Sequence, residues 1–224
     1  MKERRIRVAR TARYYSLGPS DPPPKKVWIV CHGYRQLARR FLPRFAGLND
    51  GTRLIVAPEA LSRFYLHDNE LRHGKEVPIG ATWMTREDRE SEIEDYVGYL
   101  DAVLDEVTGD LGDEPSPGVT VLGFSQGAQT VCRWVAAGEM TIERVILWGG
   151  YLPEDFDLDR GPDRMRSATF ILVRGLADPY ISEEVHALQE ARLEELGIPF
   201  ETVTHTGGHE LEASLLAEVA GRTG

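Results

Sequence analysis

Residues 123–127, Gly-Phe-Ser-Gln-Gly, set Ser125 between two glycines where the apolar run VTVLGF (119–124) gives way to the helix-like AQTVCRWVAA. G-x-S-x-G at a strand-to-helix corner pushes the serine oxygen out above a sheet, as a nucleophile must be presented. Alone the pattern is weak, because a plain turn uses the same residue types. A serine hydroxyl attacks well only when a histidine takes its proton and a carboxylate holds that histidine in one tautomer. Two later segments supply these groups. LADPY places Asp178 in a turn just past TFILVRG (169–175), and TGGHE places His209 in a glycine-flanked loop past FETVTH (200–205). Asp178 before Pro179 also suits a simple turn, and His209 a helix start. Their order after Ser125, each at its own strand end, favours a catalytic reading of all three. His205 is the rival base, near the same strand end but within the run itself; His186 reads as the surface of a helix, and His67 and His73 lie in a long loop. Acyl transfer also needs donors for an oxyanion. The backbone N–H of Gln126 is one, and VWIVCHGYRQ offers the N–H of Tyr34 after the turn at His32-Gly33 as the other.

These residues need strands that end near one another. KVWIVC (26–31), TRLIVA (52–57), VTVLGF (119–124), RVILWG (144–149), TFILVRG (169–175) and FETVTH (200–205) are mostly continuous apolar runs, the mark of strands buried on both faces of a parallel sheet. Helical patterns lie between them. Residues 87–107 carry a stripe of Ile93, Tyr96, Val97, Leu100, Val103, Leu104 and Val107 with acids opposite. Residues 182–197 carry Val185, Leu188, Leu193 and Leu196, with Ser182 as N-cap and Gly197 just past the end. Residues 209–222 form a third. The alternation predicts an α/β fold: a mostly parallel sheet with helices on both faces and ligands at the carboxyl ends of the strands. At the start, Arg5 and Arg7 alternate with Ile6 and Val8 as on a half-buried strand, and RIRVARTARYYSLG reads as an antiparallel edge hairpin. Residues 58–85 and 150–168 are long and irregular, as functional loops often are. SDPPPKK is too short for an interdomain linker, so residues 1–224 read as a single domain.

Bulk composition narrows the function. Hydrophobic residues at 42% and charged residues at 28% suit a globular chain, and no stretch approaches the run of about 18 apolar residues that a membrane span needs. A net charge of −10 argues against nucleic acid as partner. The first residues lack the apolar core of a secretory signal, and the two cysteines do not make a disulfide framework, so a cytoplasmic location is expected. Cys31 and Cys132, both in apolar patterns, read as packing residues. No His, Cys or Asp cluster has metal-ligand spacing, so neither a metal nor an organic cofactor is expected. A homodimer is compatible with the sequence, which carries no signal for oligomeric state.

CHGY, GFSQGAQ, WGGYLP, RGLADPYIS and GGHE, in this order, resemble the phospholipase/carboxylesterase group of α/β-hydrolases, which includes bacterial carboxylesterases and acyl-protein thioesterases. The likeness runs from about residue 27 to the end. It implies an α/β-hydrolase fold without a large lid domain, with Ser125 as nucleophile, Asp178 as orienting acid, His209 as base, and Tyr34 and Gln126 as oxyanion donors. Three departures stand out. His32-Gly33-Tyr34 is followed by Arg35 and Gln36 where the group often has Gly-Asp, Ala128 replaces a frequent glycine, and Thr85 with Asp88 resembles a capping-box variant beside Trp83. The expected activity is hydrolysis of short to medium carboxylic esters or thioesters through an acyl-serine intermediate. Phe64, Tyr65, Trp83, Met84 and Tyr151 are candidate pocket walls. Hydrolysis of lactones or peptide bonds, or a non-catalytic binding module on the same fold, are the alternatives.

Overall fold

The computed structural model describes residues 1–19, 24–66, 77–109, 117–155 and 161–222. In chain order the elements are β1 (Tyr14–Leu17), β2 (Lys26–Cys31), α1 (Ala38–Phe41) continued by a 3-10 stretch (Leu42–Leu48), β3 (Arg53–Pro58), β4 (Ser62–Tyr65) and β5 (Ile79–Thr82). Then come α2 (Arg89–Gly109), β6 (Gly118–Phe124), α3 (Gln126–Ala137), β7 (Arg144–Trp148), α4 (Gly161–Arg166), β8 (Thr169–Gly175), α5 (Glu183–Glu195), β9 (Phe200–His205) and α6 (Ala213–Gly221). Among the described residues seven strands form one sheet in the order β1-β3-β2-β6-β7-β8-β9. Only β1 is antiparallel to its neighbour.

The continuous apolar runs explain why this sheet is covered on both sides. Val27, Ile29, Val121, Val145 and Leu147 face a layer that includes Tyr96 and Leu100 of α2, Val131 and Trp134 of α3, and Leu193 of α5. Trp28, Val30, Leu122, Ile146 and Trp148 face the opposite layer, with Phe41 of α1, Phe45 of the 3-10 stretch, and Leu216 and Val219 of α6. Each large side chain contributes about 1.5–3 kcal/mol by leaving water, so two-sided burial rather than strand propensity fixes the sheet. From β2 the chain steps outward to β3 and later restarts on the other side at β6. The crevice at such a reversal, beyond the carboxyl ends of the strands, is where open α/β sheets bind ligands. β2 ends there in Cys31-His32-Gly33, and β6 ends in Phe124-Ser125.

Several expectations are corrected. Residues 1–13 form no strand, and Ile6 and Val8 are 81% and 76% exposed. Their arginines are drawn instead to acids: Arg5 pairs with Asp88 and Arg7 with Glu94. The edge element is the single strand β1, paired with β3, not a hairpin. The long segment 58–85 contains the antiparallel ribbon β4–β5, and 150–168 contains α4. α2 begins at Arg89, after Asp88 at φ 44°, and the Thr85 N–H donates to Glu92, so Thr85 is not its N-cap. On α5 the buried face is His186 and Leu193, while Leu188 is 68% exposed. His186 is therefore not a surface residue. That helix turns its polar side chains inward to fasten neighbours: Gln189 accepts the N–H of Leu152, and Glu190 accepts the hydroxyl of Thr202. Its ends are as predicted, with Ser182 accepting the Val185 N–H and Gly197 at φ 65°.

Candidate active site

Ser125 sits between β6 and α3 with φ 55° and ψ −119°, a backbone conformation that costs of order 1–3 kcal/mol outside glycine and persists only where the surroundings impose it. The surroundings here are close-packed backbone. The Ser125 N–H donates to Trp148 O at 2.9 Å, and Ser125 O accepts the Ala128 N–H at 2.9 Å. A Cβ at Gly123 would collide with the Gly127 carbonyl, and one at Gly127 with the carbonyls of Cys31 and His32. Both glycines therefore let strand, helix and the end of β2 converge. Ala128 fits because its Cβ occupies the space that Gly150 leaves; a side chain at residue 150 would strike it.

Asp178 and His209 are held by two loops knitted together past β8 and β9. Leu176 N–H donates to His205 O at 2.7 Å, and Ala177 N–H to Gly207 O at 3.1 Å. Gly175 has no room for a Cβ beneath Gly207 and Gly208. On this platform Asp178 Oδ2 meets His209 Nδ1 at 2.8 Å, and Oδ1 accepts the Tyr180 N–H at 2.8 Å. The Asp178 carboxylate is fully buried. An ionised carboxylate only accepts, so Nδ1 carries the imidazole proton and Nε2 is left as the basic nitrogen. The imidazole is further fixed by the Tyr180 ring at 4.8 Å, edge-on, and the Phe124 ring at 5.0 Å. Trp148 Nε1 donates to the carbonyl of Glu210, the next residue, at 2.7 Å. Gly149, at φ 56°, lies where a Cβ would stand 3.2 Å from His209 Nδ1. Three side chains from the ends of β6, β8 and β9 thus share one rim: Asp178 and His209 are in direct contact, and His209 leans on the residue before Ser125.

His205 turns elsewhere, its Nδ1 accepting the Gly207 N–H at 3.2 Å and its ring 6.0 Å from Trp148. His186 lies in α5 with Nδ1 3.6 Å from Glu190. His67 and His73 lie outside the described residues.

The loop past β2 is built as carefully. His32 is fully buried; its Nε2 accepts the Ala60 N–H at 3.1 Å, which leaves Nδ1–H to donate to Gly33 O at 2.8 Å. Burial pushes the His32 pKa down against the opposing pull of the Gly33 carbonyl and Glu59, so the ring is neutral. Trp83 Nε1 donates to His32 O at 2.8 Å. Gln36, which departs from the usual motif, accepts the Gly33 N–H through Oε1 at 2.9 Å. Arg35, at φ 68°, donates its N–H to Ala81 O, and Ala81 N–H returns to Gln36 O. Tyr34 is thereby held on a short arch whose Gly33 has Ser125 Cβ only 3.1 Å from where its own Cβ would be.

Gln126 opens α3, where a backbone N–H has no helical acceptor. Its side chain clamps the end of β5: Nε2 donates to Thr82 Oγ1 and Met84 O at 3.0 Å, and Oε1 accepts the Trp83 N–H at 3.2 Å. Sequence reasoning used only the backbone of Gln126 and missed this clamp, along with Gln36 and Gly149; glutamines beside glycine turns were the available signal. Of the candidate pocket residues, Tyr65 and Tyr151 are exposed, Phe64 is half-buried with its ring stacked 5.4 Å from Tyr34, and Met84 is half-buried. Trp83 is only 2% exposed and packs beneath the arch. Leu176 and Tyr180, exposed on the β8 loop, add apolar surface that the sequence reading did not include. Cys31 and Cys132 are buried, and burial pushes the Cys132 thiol up to about 12. Among the described residues no group of three or more His, Cys, Asp or Glu could hold a metal ion, and no helix is long and apolar enough to cross a membrane.

By sequence, the chain matches no protein-family model and no curated protein. Its fold is similar to solved structures. A carboxylesterase from Mesorhizobium loti is 18% identical with a TM-score of 0.68, over 94% of this chain and 95% of that one. Zea mays acyl-protein thioesterase 2 is 14% identical with a TM-score of 0.66, over 93% and 96%. The Bacillus cereus carboxylesterase is 14% identical with a TM-score of 0.66, over 93% and 91%. The chain therefore has the α/β-hydrolase fold, with the strand order and two-sided helical cover described above and no large lid among the described residues.

Proposed function

We propose that this chain is a serine hydrolase that cleaves carboxylic esters or thioesters of short to medium acyl chains. His209 Nε2 takes the Ser125 proton as Oγ attacks the carbonyl carbon, and Asp178 stabilises the imidazolium that forms. The tetrahedral oxyanion is met by the N–H groups of Gln126 and Tyr34. Collapse releases the alcohol or thiol, protonated by His209, and leaves an acyl-serine; water, deprotonated by His209, then frees the acid. The scheme uses neither metal nor organic cofactor. The observation that carries it is the contact between buried Asp178 and half-buried His209 on the rim beside a strained Ser125. Tyr34, Phe64, Tyr151, Leu176 and Tyr180 offer an open apolar rim for an acyl group, whereas Tyr65 lies on the opposite face of the β4–β5 ribbon, and nothing among the described residues roofs the rim as a lipase lid would.

Ser125→Ala should abolish hydrolysis of p-nitrophenyl butyrate and labelling by a fluorophosphonate, with the melting temperature kept. Across a series of p-nitrophenyl esters and matching thioesters, lactones and aminoacyl amides, kcat/KM should peak at short to medium esters or thioesters. Retained turnover in the alanine variant would refute the nucleophile, and a peak at long acyl chains or at amides would refute the substrate class.

A further inference from the structure

On the far side of the β4–β5 ribbon lies a cleft of about 810 Å³ whose walls include Arg13, Arg39, Arg40 and Arg63, together with Tyr15 and Ile79. In a chain of net charge −10, four guanidiniums around one opening are out of keeping with the rest of the surface. Pairing among the described residues does not account for them. Behind the wall, among the described residues, Glu59 is the carboxylate paired with two of them: both Arg13 Nη2 and Arg63 Nη1 approach its oxygen Oε1, at 2.6 and 3.2 Å. The Glu59 side chain is fully buried, and its Oε2 has no partner among the described residues. Arg39 and Arg40 project from α1, exposed, with no acid paired to either among the described residues. Among the described residues these four positive groups thus have one paired carboxylate between them. Each guanidinium keeps N–H donors in the planar fork that matches phosphate oxygens.

The ribbon separates this cleft from the catalytic rim. Opposed residues of an antiparallel pair share a face, and successive residues alternate. Phe64 stacks on Tyr34, so Arg63 and the Tyr65–Ile79 pair look the other way, into the cleft. The two sites nonetheless share a wall, because Ala81 of β5 exchanges backbone hydrogen bonds with Arg35 and Gln36 of the arch.

We propose that this cleft is an anion site for a phosphorylated small molecule, its phosphate or pyrophosphate held by Arg13, Arg39, Arg40 and Arg63 and its organic part lying on Tyr15 and Ile79. The volume suits such a ligand, since small-molecule sites run about 300–1,000 Å³. Glu59 sets the spacing of two of the four guanidiniums before the ligand arrives. The ligand is a free phosphorylated molecule rather than part of the ester, because the ribbon stands between this cleft and Ser125.

Calorimetric titration of the full chain with inorganic pyrophosphate, at ionic strength held constant with chloride, tests the site. Binding should saturate at one equivalent, and the exposed double variant R39E/R40E should weaken it about tenfold or more, as expected for lost charge-assisted hydrogen bonds. Arg63→Gln should weaken it in the same direction. The unliganded melting temperatures verify that the variants fold. Absence of saturable heat in the wild type, or equal binding by R39E/R40E, overturns the proposal. Because binding is read without turnover, its failure leaves the hydrolase reading standing, and inactivity of Ser125→Ala leaves the binding standing.

Discussion

Asp178 divides its two oxygens between tasks that cannot be exchanged. Oδ1 receives the Tyr180 N–H and so fixes the carboxylate plane, while Oδ2 receives Nδ1–H of His209. Both bonds require an acceptor. In Asp178→Asn the shape is kept, but an amide that presents its NH₂ to the imidazole drives the proton to Nε2, the nitrogen that the proposed scheme needs free to take one from Ser125. We expect kcat for p-nitrophenyl butyrate to fall about a thousandfold or more, with little change in melting temperature. Rates measured beside thermal unfolding check this: a large loss of stability with the same loss of rate would mean that Asp178 holds the loop rather than the tautomer.

At the scale of elements, the long apolar strands were legible and the short pieces that dress the rim were not. KVWIVC, TFILVRG and FETVTH match β2, β8 and β9 residue for residue: β2 and β8 are buried between parallel neighbours, and the edge strand β9 is held in register by β8 alone. The places of Ser125, Asp178 and His209 were legible with them, since each lies just past the end of such a run. β4 and β5 have four residues each, one carrying an arginine and the other a glycine, and pair only with each other; no apolar run announces them. The N-terminal arm misled because alternation describes side chains and does not say whether a partner edge is free, and β1 already occupies the edge of the sheet. His186 misled because a helix that fastens neighbours through Gln189 and Glu190 buries polar residues at helical spacing. Gln126 is where the missed detail has most consequence: its side chain joins α3 to the end of β5, and so steadies the arch that Ala81 supports. Gln126→Ala would leave the Trp83 N–H short of its partner at a half-buried site and Met84 O with the Thr82 hydroxyl alone, which costs about 1–3 kcal/mol. The urea midpoint should drop accordingly, while kcat falls by a smaller factor than in Asp178→Asn because the Gln126 N–H remains. An unchanged midpoint would show that the clamp is not holding the two elements.

For the whole molecule, two buried imidazoles make stability depend on pH on the acid side. Burial pushes the pKa of His32 down, with the Gly33 carbonyl and Glu59 opposing. Burial also pushes His186 down, opposed by Glu190 and reinforced by Arg174. Unfolded, each titrates near 6.5. Below that value the unfolded chain binds protons that the folded chain refuses, so stability is complete above about pH 6.5 and declines as pH falls, by up to about 1.4 kcal/mol per pH unit for each histidine. Carboxylates with depressed values act later: Asp50, held near about 2 chiefly by Thr52, and Asp88, held down by Arg5, lose their contributions at lower pH. The window from pH 7.5 to 5.5 therefore isolates the histidines. His32 has the greater consequence for function, because protonating Nε2 would turn the acceptor of the Ala60 N–H into a donor and set two donors against each other beneath the arch. Urea midpoints should fall between pH 7.5 and 5.5 in the wild type, and fall less in His186→Leu, which removes one of the two imidazoles and its unpartnered Nε2. Equal acid losses in both proteins would remove His186 from the linkage, and a midpoint indifferent to pH across this window would mean that neither ring resists protonation in the fold.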